Sequence, residues 1–280
     1  MVERRSSKTA IGAAVLRAAH QLIDEEPKIL DDPVILRLLE APVLEQLRSN
    51  PGRFQAPQSK GLRSHIVLRS RYTEDRLAEA VRDGIGQYLI LGAGLDTFPY
   101  RQPDWARYLH IFEVDHGASQ QFKRERLALA EITVPPNVEF IPLDFETVNL
   151  HDGLRQSNFA LENPSFISWL GVMAYLSMEA IEAVFRFVAS LPPTSEIVFT
   201  FATTTENGRK NSNSTAARAA AHGEPWLTRI DPDTLVRKLQ KLGFSKISFL
   251  TPADAAACYF RDRRDGLPAP REVRIGSARV

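Results

Sequence analysis

The stretch Tyr88-Leu89-Ile90-Leu91-Gly92-Ala93-Gly94-Leu95-Asp96-Thr97 decides the fold. Its first four residues form an apolar run that ends directly in glycine, which is typical of a buried parallel strand followed by a tight turn. The glycines at 92 and 94 permit unusual backbone angles and let a ligand approach the main chain closely. We therefore interpret the stretch as the first strand and turn of a nucleotide-binding α/β domain.

Two further apolar stretches end in acids. Residues 108–115 predict a second strand that ends in Asp115, which can accept hydrogen bonds from both hydroxyls of a ribose. Residues 138–143 predict a third strand, followed directly by Asp144 and Phe145. Asp144 can accept a hydrogen bond from the exocyclic amine of an adenine, and Phe145 can pack on the ring. These strand ends therefore predict an adenosine site.

The turn lacks one residue of the dinucleotide-binding fingerprint. That fingerprint has a third glycine where this chain has Thr97. We find no other phosphate-binding loop in the sequence. The pattern therefore favours a nucleoside cofactor without a pyrophosphate.

Together with motifs further along the chain, these residues resemble the leucine carboxyl methyltransferase-like family of S-adenosylmethionine-dependent methyltransferases, and within it a bacterial branch of small-molecule O-methyltransferases. The resemblance covers residues 25–265. It is carried by the following motifs: Gly92-Ala93-Gly94-Leu95-Asp96-Thr97, Tyr100-Arg101, Phe112-Glu113-Val114-Asp115, Leu143-Asp144, Trp169-Leu170-Gly171-Val172 and Tyr175-Leu176.

The resemblance implies S-adenosylmethionine as the cofactor and a small molecule as the methyl acceptor. It places Arg69 beside the cofactor's carboxylate, with Arg71 as the alternative. His116 directly follows Asp115 and is expected to pack near the adenosine. Leu170 stands where many relatives carry a glutamate. If that glutamate contacts the cofactor's amino group, backbone carbonyls would have to make the contact in this chain. The implied cofactor-binding residues are Arg69, Gly92, Ala93, Gly94, Asp96, Asp115, His116, Asp144, Phe145 and Leu170.

The acceptor side of the predicted site is less defined. Tyr175 is expected to line the acceptor pocket, although a tyrosine of the core would fit the same pattern. No acid, base or nucleophile can be assigned to catalysis, and no zinc-ligand spacing is present. Because the methyl group of a sulfonium is already activated, the protein is expected to supply in-line placement and to exclude water.

Composition narrows the class of protein. The 280 residues are 44% hydrophobic and 25% charged with a net charge of +1, which predicts no nucleic-acid partner. No apolar run approaches the roughly 20 residues of a membrane span, so we expect a cytoplasmic protein. The single cysteine, Cys258, excludes an intramolecular disulfide and is expected to be buried. The oligomeric state stays open.

The expected architecture is a three-layer α/β sandwich with a Rossmann-like sheet of about seven mostly parallel strands. Further strands are predicted at 165–170, 197–201 and 247–250. We expect an N-terminal helical cap over residues 1–60 and a methyltransferase domain over 61–280. A polar stretch at 203–226 is expected to form a lid at the carboxyl edge of the sheet.

The predicted activity is methyl transfer from S-adenosylmethionine to a carboxylate or hydroxyl oxygen. One alternative is an NAD-dependent oxidoreductase with a similar sheet, against which Thr97 argues. A second alternative is a protein that binds the cofactor without catalysis, which Leu170 in place of the glutamate would favour.

Overall fold

The computed structural model describes residues 8–203, 215–221, 223–272 and 274–280. Within these ranges the chain forms a seven-stranded sheet with helices on both faces, which confirms the predicted α/β class. The strands are β1 (Gln87–Leu91), β2 (His110–Asp115), β3 (Val138–Pro142), β4 (Ser165–Trp169), β5 (Glu196–Thr200), β6 (Lys246–Phe249) and β7 (Ile275–Arg279).

The helices of the described residues vary from a single turn to seven turns. They are α1 (Lys8–Ile23), α2 (Val34–Leu38), α3 (Ala41–Ser49), α4 (Gly52–Gln55), α5 (Pro57–Arg82), α6 (Gly117–Leu129), α7 (Leu150–Leu154), α8 (Met178–Ala189), α9 (Thr215–Ala221), α10 (Pro232–Lys241) and α11 (Pro252–Tyr259).

The strand order is β3-β2-β1-β4-β5-β7-β6, and the first five strands along this row run parallel. β7 is antiparallel to both of its neighbours, β5 and β6. From β1 the chain moves outward through β2 and β3, and it then returns to β4 on the other side of β1. A crevice forms where the strand order reverses in this way, so the carboxyl ends of β1 and β4 mark the expected ligand site.

Each face of the sheet has its own hydrophobic core. The face covered by α7, α8 and α10 receives Leu89 and Leu91 of β1, while the face covered by α5 and α11 receives Tyr88 and Ile90. All five residues of β1 are therefore buried, because alternate side chains enter opposite layers.

A third core lies at the amino-terminal end of the chain. Apolar residues of α1, α2 and α3 pack together and include Leu95 of the glycine turn. These helices therefore rest on the end of the sheet that carries the turn. The expected boundary at residue 60 falls within α5, and the division into a cap and a domain stays a prediction. Residues 204–214 and 222 of the expected lid lie outside the described residues.

Two features differ from what the sequence alone indicates. Sequence analysis did not locate β7, whose small residues are required by packing: a Cβ at Gly276 would come within 2.6 Å of the Phe199 ring. Cys258 is exposed, contrary to expectation, because Ala255 is the buried residue of the short helix α11. Within the described ranges, no helix is long and apolar enough to cross a bilayer, and the cytoplasmic location stays a prediction.

Candidate cofactor and acceptor site

The ends of β1 and β4 meet closely at the crevice. Gly92 has φ +67°, and a Cβ there would lie 2.3 Å from Cγ2 of Val172, which follows β4. Gly171 has φ +75°, and a Cβ there would lie 2.6 Å from the guanidinium of Arg69. Glycine is therefore needed at both strand ends for the backbone conformation and for the close contact.

Arg69 reaches this crevice from helix α5. Its guanidinium makes no hydrogen bond to any described residue, while Arg17, Asp96 and Tyr175 all lie close enough to influence its charge. Burial, followed by the nearby charge of Arg17, lowers the pKa of Arg69 to about 10, so the side chain stays cationic at neutral pH. A partly buried cation in this state is suited to hold a carboxylate through two parallel hydrogen bonds.

Arg71, the alternative to Arg69, lies elsewhere on α5. Its Nε donates to Asp75 at 2.9 Å on the same helix, and both side chains are partly exposed. Two residues along a helix are about 200° apart, so Arg71 points away when Arg69 faces the crevice. The structure therefore favours Arg69 as the cation at the site.

Asp115 ends β2 next to the glycine turn. Its carboxylate accepts hydrogen bonds from the backbone N–H groups of Gly94 at 2.6 Å and His116 at 2.7 Å. Burial raises the pKa of Asp115, and these two hydrogen bonds oppose that effect. A carboxylate offers about four acceptor positions, so two remain for the hydroxyls of a ribose.

His116 has a local structural role as well. Its Nδ1 accepts a hydrogen bond from the N–H of Ala118 at 3.3 Å, which makes His116 the N-cap of α6. The imidazole is thus held at the end of β2, beside the predicted ribose site. Capping explains why a hydrogen-bonding side chain begins this helix.

Asp144 and Phe145 follow β3 as the sequence predicts. Asp144 accepts from the N–H of Glu146 at 3.0 Å, and the Phe145 ring centre lies 6.5 Å from that of Trp169. Trp169 is fully buried at the end of β4, and its indole N–H has no partner among the described residues. Leu170, the next residue, packs against the core on the α5 side of the sheet.

A buried acid beneath the glycine turn joins the helical cap to the sheet. Asp32 accepts hydrogen bonds from Thr97 Oγ1 at 2.7 Å and from the Ile35 N–H at 3.2 Å. Its carboxylate also lies 3.4 Å from Nε of Arg101 and 3.6 Å from Arg17. Thr97, which replaces the third glycine of the dinucleotide fingerprint, therefore uses its hydroxyl to anchor the turn.

Helix α1 covers the glycine turn from the other side. A Cβ at Gly94 would lie 3.3 Å from Cβ of Ala10. The carboxylate of Glu224 accepts hydrogen bonds from the N–H groups of Lys8 at 2.8 Å and Thr9 at 3.2 Å, at the first described turn of α1. An anion in this position is favoured by the helix dipole. The end of the expected lid, which continues into the residues up to 230, is thereby attached to α1.

The same segment, residues 223–230, crosses the carboxyl ends of β4 and β5. The N–H of Leu227 donates to the carbonyl of Ala174 at 2.7 Å, and that of Ile230 donates to Ala202 at 2.8 Å. Tyr175, adjacent to Ala174, has a hydroxyl without a hydrogen-bond partner among the described residues. The segment and α1 together form a roof over the sheet edge.

The structure thus brings the predicted cofactor-binding residues to one edge of the sheet, with Tyr175 beside Arg69. Sequence analysis missed two features of that edge. These are the contact of Asp32 with Thr97 and the contact of Glu224 with α1. Neither partner set could be found from local pattern, because Asp32 and Thr97 are 65 residues apart and Lys8 and Glu224 are 216 apart.

The sequence is similar to a known family and to individual bacterial proteins. The family model described as leucine carboxyl methyltransferase matches residues 10–189, more than half of the chain. A Bacillus subtilis (strain 168) protein named "Putative S-adenosyl-L-methionine-dependent methyltransferase YktD" is 31% identical over 294 aligned positions, covering 96% of each chain. A protein of the same description from Mycolicibacterium paratuberculosis is 29% identical and covers 71% of this chain and 76% of its own.

Solved structures share the fold. A DUF574 family protein from Streptomyces avermitilis superposes with a TM-score of 0.55 at 18% identity, covering 96% of both chains. A Thermobifida fusca protein described as a "putative methyltransferase" superposes with a TM-score of 0.56 at 18% identity, covering 95% of this chain and 93% of that one. At 18% identity, these structures show that the fold is shared and nothing more.

Proposed function

Because the chain belongs to the leucine carboxyl methyltransferase family and is an S-adenosylmethionine-dependent methyltransferase, we propose that it methylates an oxygen of a small-molecule acceptor. The observation that carries the proposal is the position of Tyr175 after β4, close enough to Arg69 to influence its charge. Both side chains have polar groups without hydrogen-bond partners among the described residues, and the guanidinium of Arg69 lies against Gly171 at the end of β4.

The residues at the crevice fit the cofactor. Arg69 would hold its carboxylate and Asp96 its amine, since these two side chains lie near each other at the glycine turn. Asp115 would hold the ribose hydroxyls, while Asp144 and Phe145 would hold the adenine. When bound, S-adenosylmethionine supplies a methyl group on a positively charged sulfur, which is already activated toward an oxygen nucleophile.

The work of the protein is then positioning and the exclusion of water. Glycine at 92 and 171 allows the two strand ends to approach, and Arg69 is held against Gly171. The roof formed by α1 and residues 223–230 is bonded to residues at this edge, where it would exclude water from the reacting groups. Placement of reacting groups in a water-excluded site accounts for large rate enhancements without a protein acid or base.

Oxygen is favoured as the methylated atom for two reasons. Tyr175 offers a hydroxyl that can donate a hydrogen bond to an oxygen of the acceptor, while Arg69 is assigned to the cofactor. The description of the family also names a carboxyl group as its target. A carboxylate needs no base, whereas a hydroxyl benefits from one, and both remain within the proposal.

A labelled transfer assay tests the proposal. The protein is incubated with S-adenosylmethionine carrying a tritiated methyl group and with the small-molecule fraction of a bacterial extract. We expect label in a small-molecule product, released as methanol by mild alkali from an ester and retained in an ether. Label on a nitrogen or sulfur atom, or only on protein, would contradict the proposal. Arg71→Met is the control that should keep activity.

A further inference from the structure

Trp226 carries a buried hydrogen-bond donor in its indole ring. Its indole N–H is shielded from solvent and has no partner among the described residues. An unpaired buried donor costs about 1–3 kcal/mol, so such groups in native proteins usually meet a water molecule or a ligand. The surroundings of Trp226 indicate whether a water molecule or a ligand is the partner of this N–H.

The contacts of its neighbours place Trp226 near the residues that follow β4 and β5. The next residue, Leu227, is bonded through its N–H to Ala174, which adjoins Tyr175. The guanidinium of Arg229 sits 5.3 Å from the centre of the Trp226 ring and donates to the carbonyl of Thr203 at 3.4 Å. Trp226 is therefore held between the ends of β4 and β5, with a cation on its face.

The cofactor has other partners for its polar groups. Asp115, Asp144 and Asp96 are acceptors placed along the ends of β1, β2 and β3, and Arg69 is the donor for the carboxylate. Trp226 lies on the opposite side of the crevice, over the later strands. An indole N–H only donates, so its partner must be an acceptor atom such as oxygen.

We propose that Trp226 binds the methyl acceptor directly, by donating its indole N–H to an oxygen of that molecule. The inference rests on the proposed function and adds a residue that selects among acceptors. An acceptor with an oxygen in reach of this N–H satisfies the buried donor, whereas one without it leaves the donor unpaired. Sites built in this way discriminate strongly between related substrates.

Nuclear magnetic resonance gives a direct readout, because the chain has three tryptophans. Protein labelled with ¹⁵N at the indole positions should show three N–H signals, and Trp226→Phe assigns one of them. S-adenosylhomocysteine should leave the Trp226 signal nearly unchanged. Addition of the methylatable fraction of the extract to that complex should then shift it downfield. A Trp226 signal that responds fully to S-adenosylhomocysteine alone would overturn the assignment in favour of cofactor binding.

Kinetics with two matched variants complete the test. Trp226→Phe keeps an aromatic ring and removes the N–H, and it should raise the apparent KM for the acceptor fraction about tenfold. Its Kd for S-adenosylhomocysteine should stay within about twofold of the unmodified protein. Trp105→Phe is the control, since Trp105 precedes β2 at the opposite edge of the sheet and is 38% exposed.

The outcomes separate the two levels of inference. If the unmodified protein transfers label to an oxygen and Trp226→Phe has an unchanged KM, the role of Trp226 is rejected while the proposed function stands. If the unmodified protein transfers no label to any small molecule, the proposed function fails and the inference fails with it. An equal rise in KM for Trp105→Phe would also reject a specific role for Trp226.

Discussion

Polar side chains at the two halves of the sheet's carboxyl edge differ in how far they are hydrogen-bonded within the protein. Beneath the glycine turn, Asp32, Thr97 and Arg101 bond to one another, and Asp115 accepts from two backbone N–H groups. Over β4 and β5, the polar groups of Arg69 and Trp226 have no hydrogen-bond partner among the described residues. The first half thus holds its shape by internal contacts, whereas the second half keeps donors available for ligands.

Removal of Asp32 should have the largest effect, because it breaks the network on the anchored side. Asp32→Ala leaves Arg17 and the Thr97 hydroxyl without their buried partner, and loss of one member of such a pair costs about 3–5 kcal/mol. Chemical denaturation should show this loss in the free energy of unfolding. Asp31→Ala, at the exposed neighbouring position, is the control, and an equal loss there would refute the role of Asp32.

Asp115→Ala should mainly affect cofactor binding. Each hydrogen bond to a charged group contributes about 1.5–3 kcal/mol, so loss of the ribose acceptor should weaken binding of S-adenosylhomocysteine about 100-fold. Isothermal titration calorimetry measures this Kd. Asp115→Asn keeps one acceptor oxygen, so its Kd should fall between those of the unmodified protein and Asp115→Ala. An unchanged Kd would remove Asp115 from the site. Glu113 is an unsuitable substitute, since it is buried against Lys123 at 2.6 Å.

Arg69→Met tests the region over β4 and β5, where polar groups lack partners among the described residues. Binding of S-adenosylhomocysteine should weaken about tenfold or more, while binding of adenosine, which lacks the carboxylate, should change little. Arg71→Met on the same helix is the matched control and should bind both molecules normally. Equal losses for adenosine and S-adenosylhomocysteine would show that Arg69 acts through folding.

Glu224→Ala tests the connection between α1 and the segment over β4 and β5. The carboxylate supports the first described turn of α1, and loss of such a capping group costs about 0.5–2 kcal/mol. We expect S-adenosylhomocysteine to dissociate several-fold faster in stopped-flow measurements, because the roof is less firmly attached. Glu162→Ala, an exposed position after β3, is the control. Unchanged dissociation would mean that the contact does not retain the cofactor.

The smallest expected effect concerns pH. His65 lies one helical turn before Arg69, and burial together with the charges of Arg69 and Arg274 lowers its pKa to about 3. Because the unfolded chain binds this proton near pH 6.5, stability is complete above that pH and falls as pH drops toward 3. Urea unfolding at pH 7 and pH 5 should show a loss on the order of 1 kcal/mol that His65→Asn lacks. The same acid sensitivity in both proteins would exclude His65 as its source.

The sequence by itself determined the α/β class and the ends of the first three strands. The run from Tyr88 to Leu91 is buried on both faces and therefore apolar throughout, while Asp115 ends β2 and Asp144 lies two residues after β3. Such features are local, because burial and strand polarity leave a pattern within a few residues. The residue next to a strand end can therefore be placed at the sheet edge before any tertiary contact is known.

Tertiary structure alone decided which polar groups would be satisfied and which would be left for a ligand. Arg69 and Arg71 have the same chemistry in the sequence, yet only Arg69 faces Gly171. Asp32 meets Thr97, and Glu224 meets α1, across separations of 65 and more than 200 residues. A hydrogen bond depends on angles and on distances of about 3 Å, which the packing of separate elements sets and no local periodicity encodes.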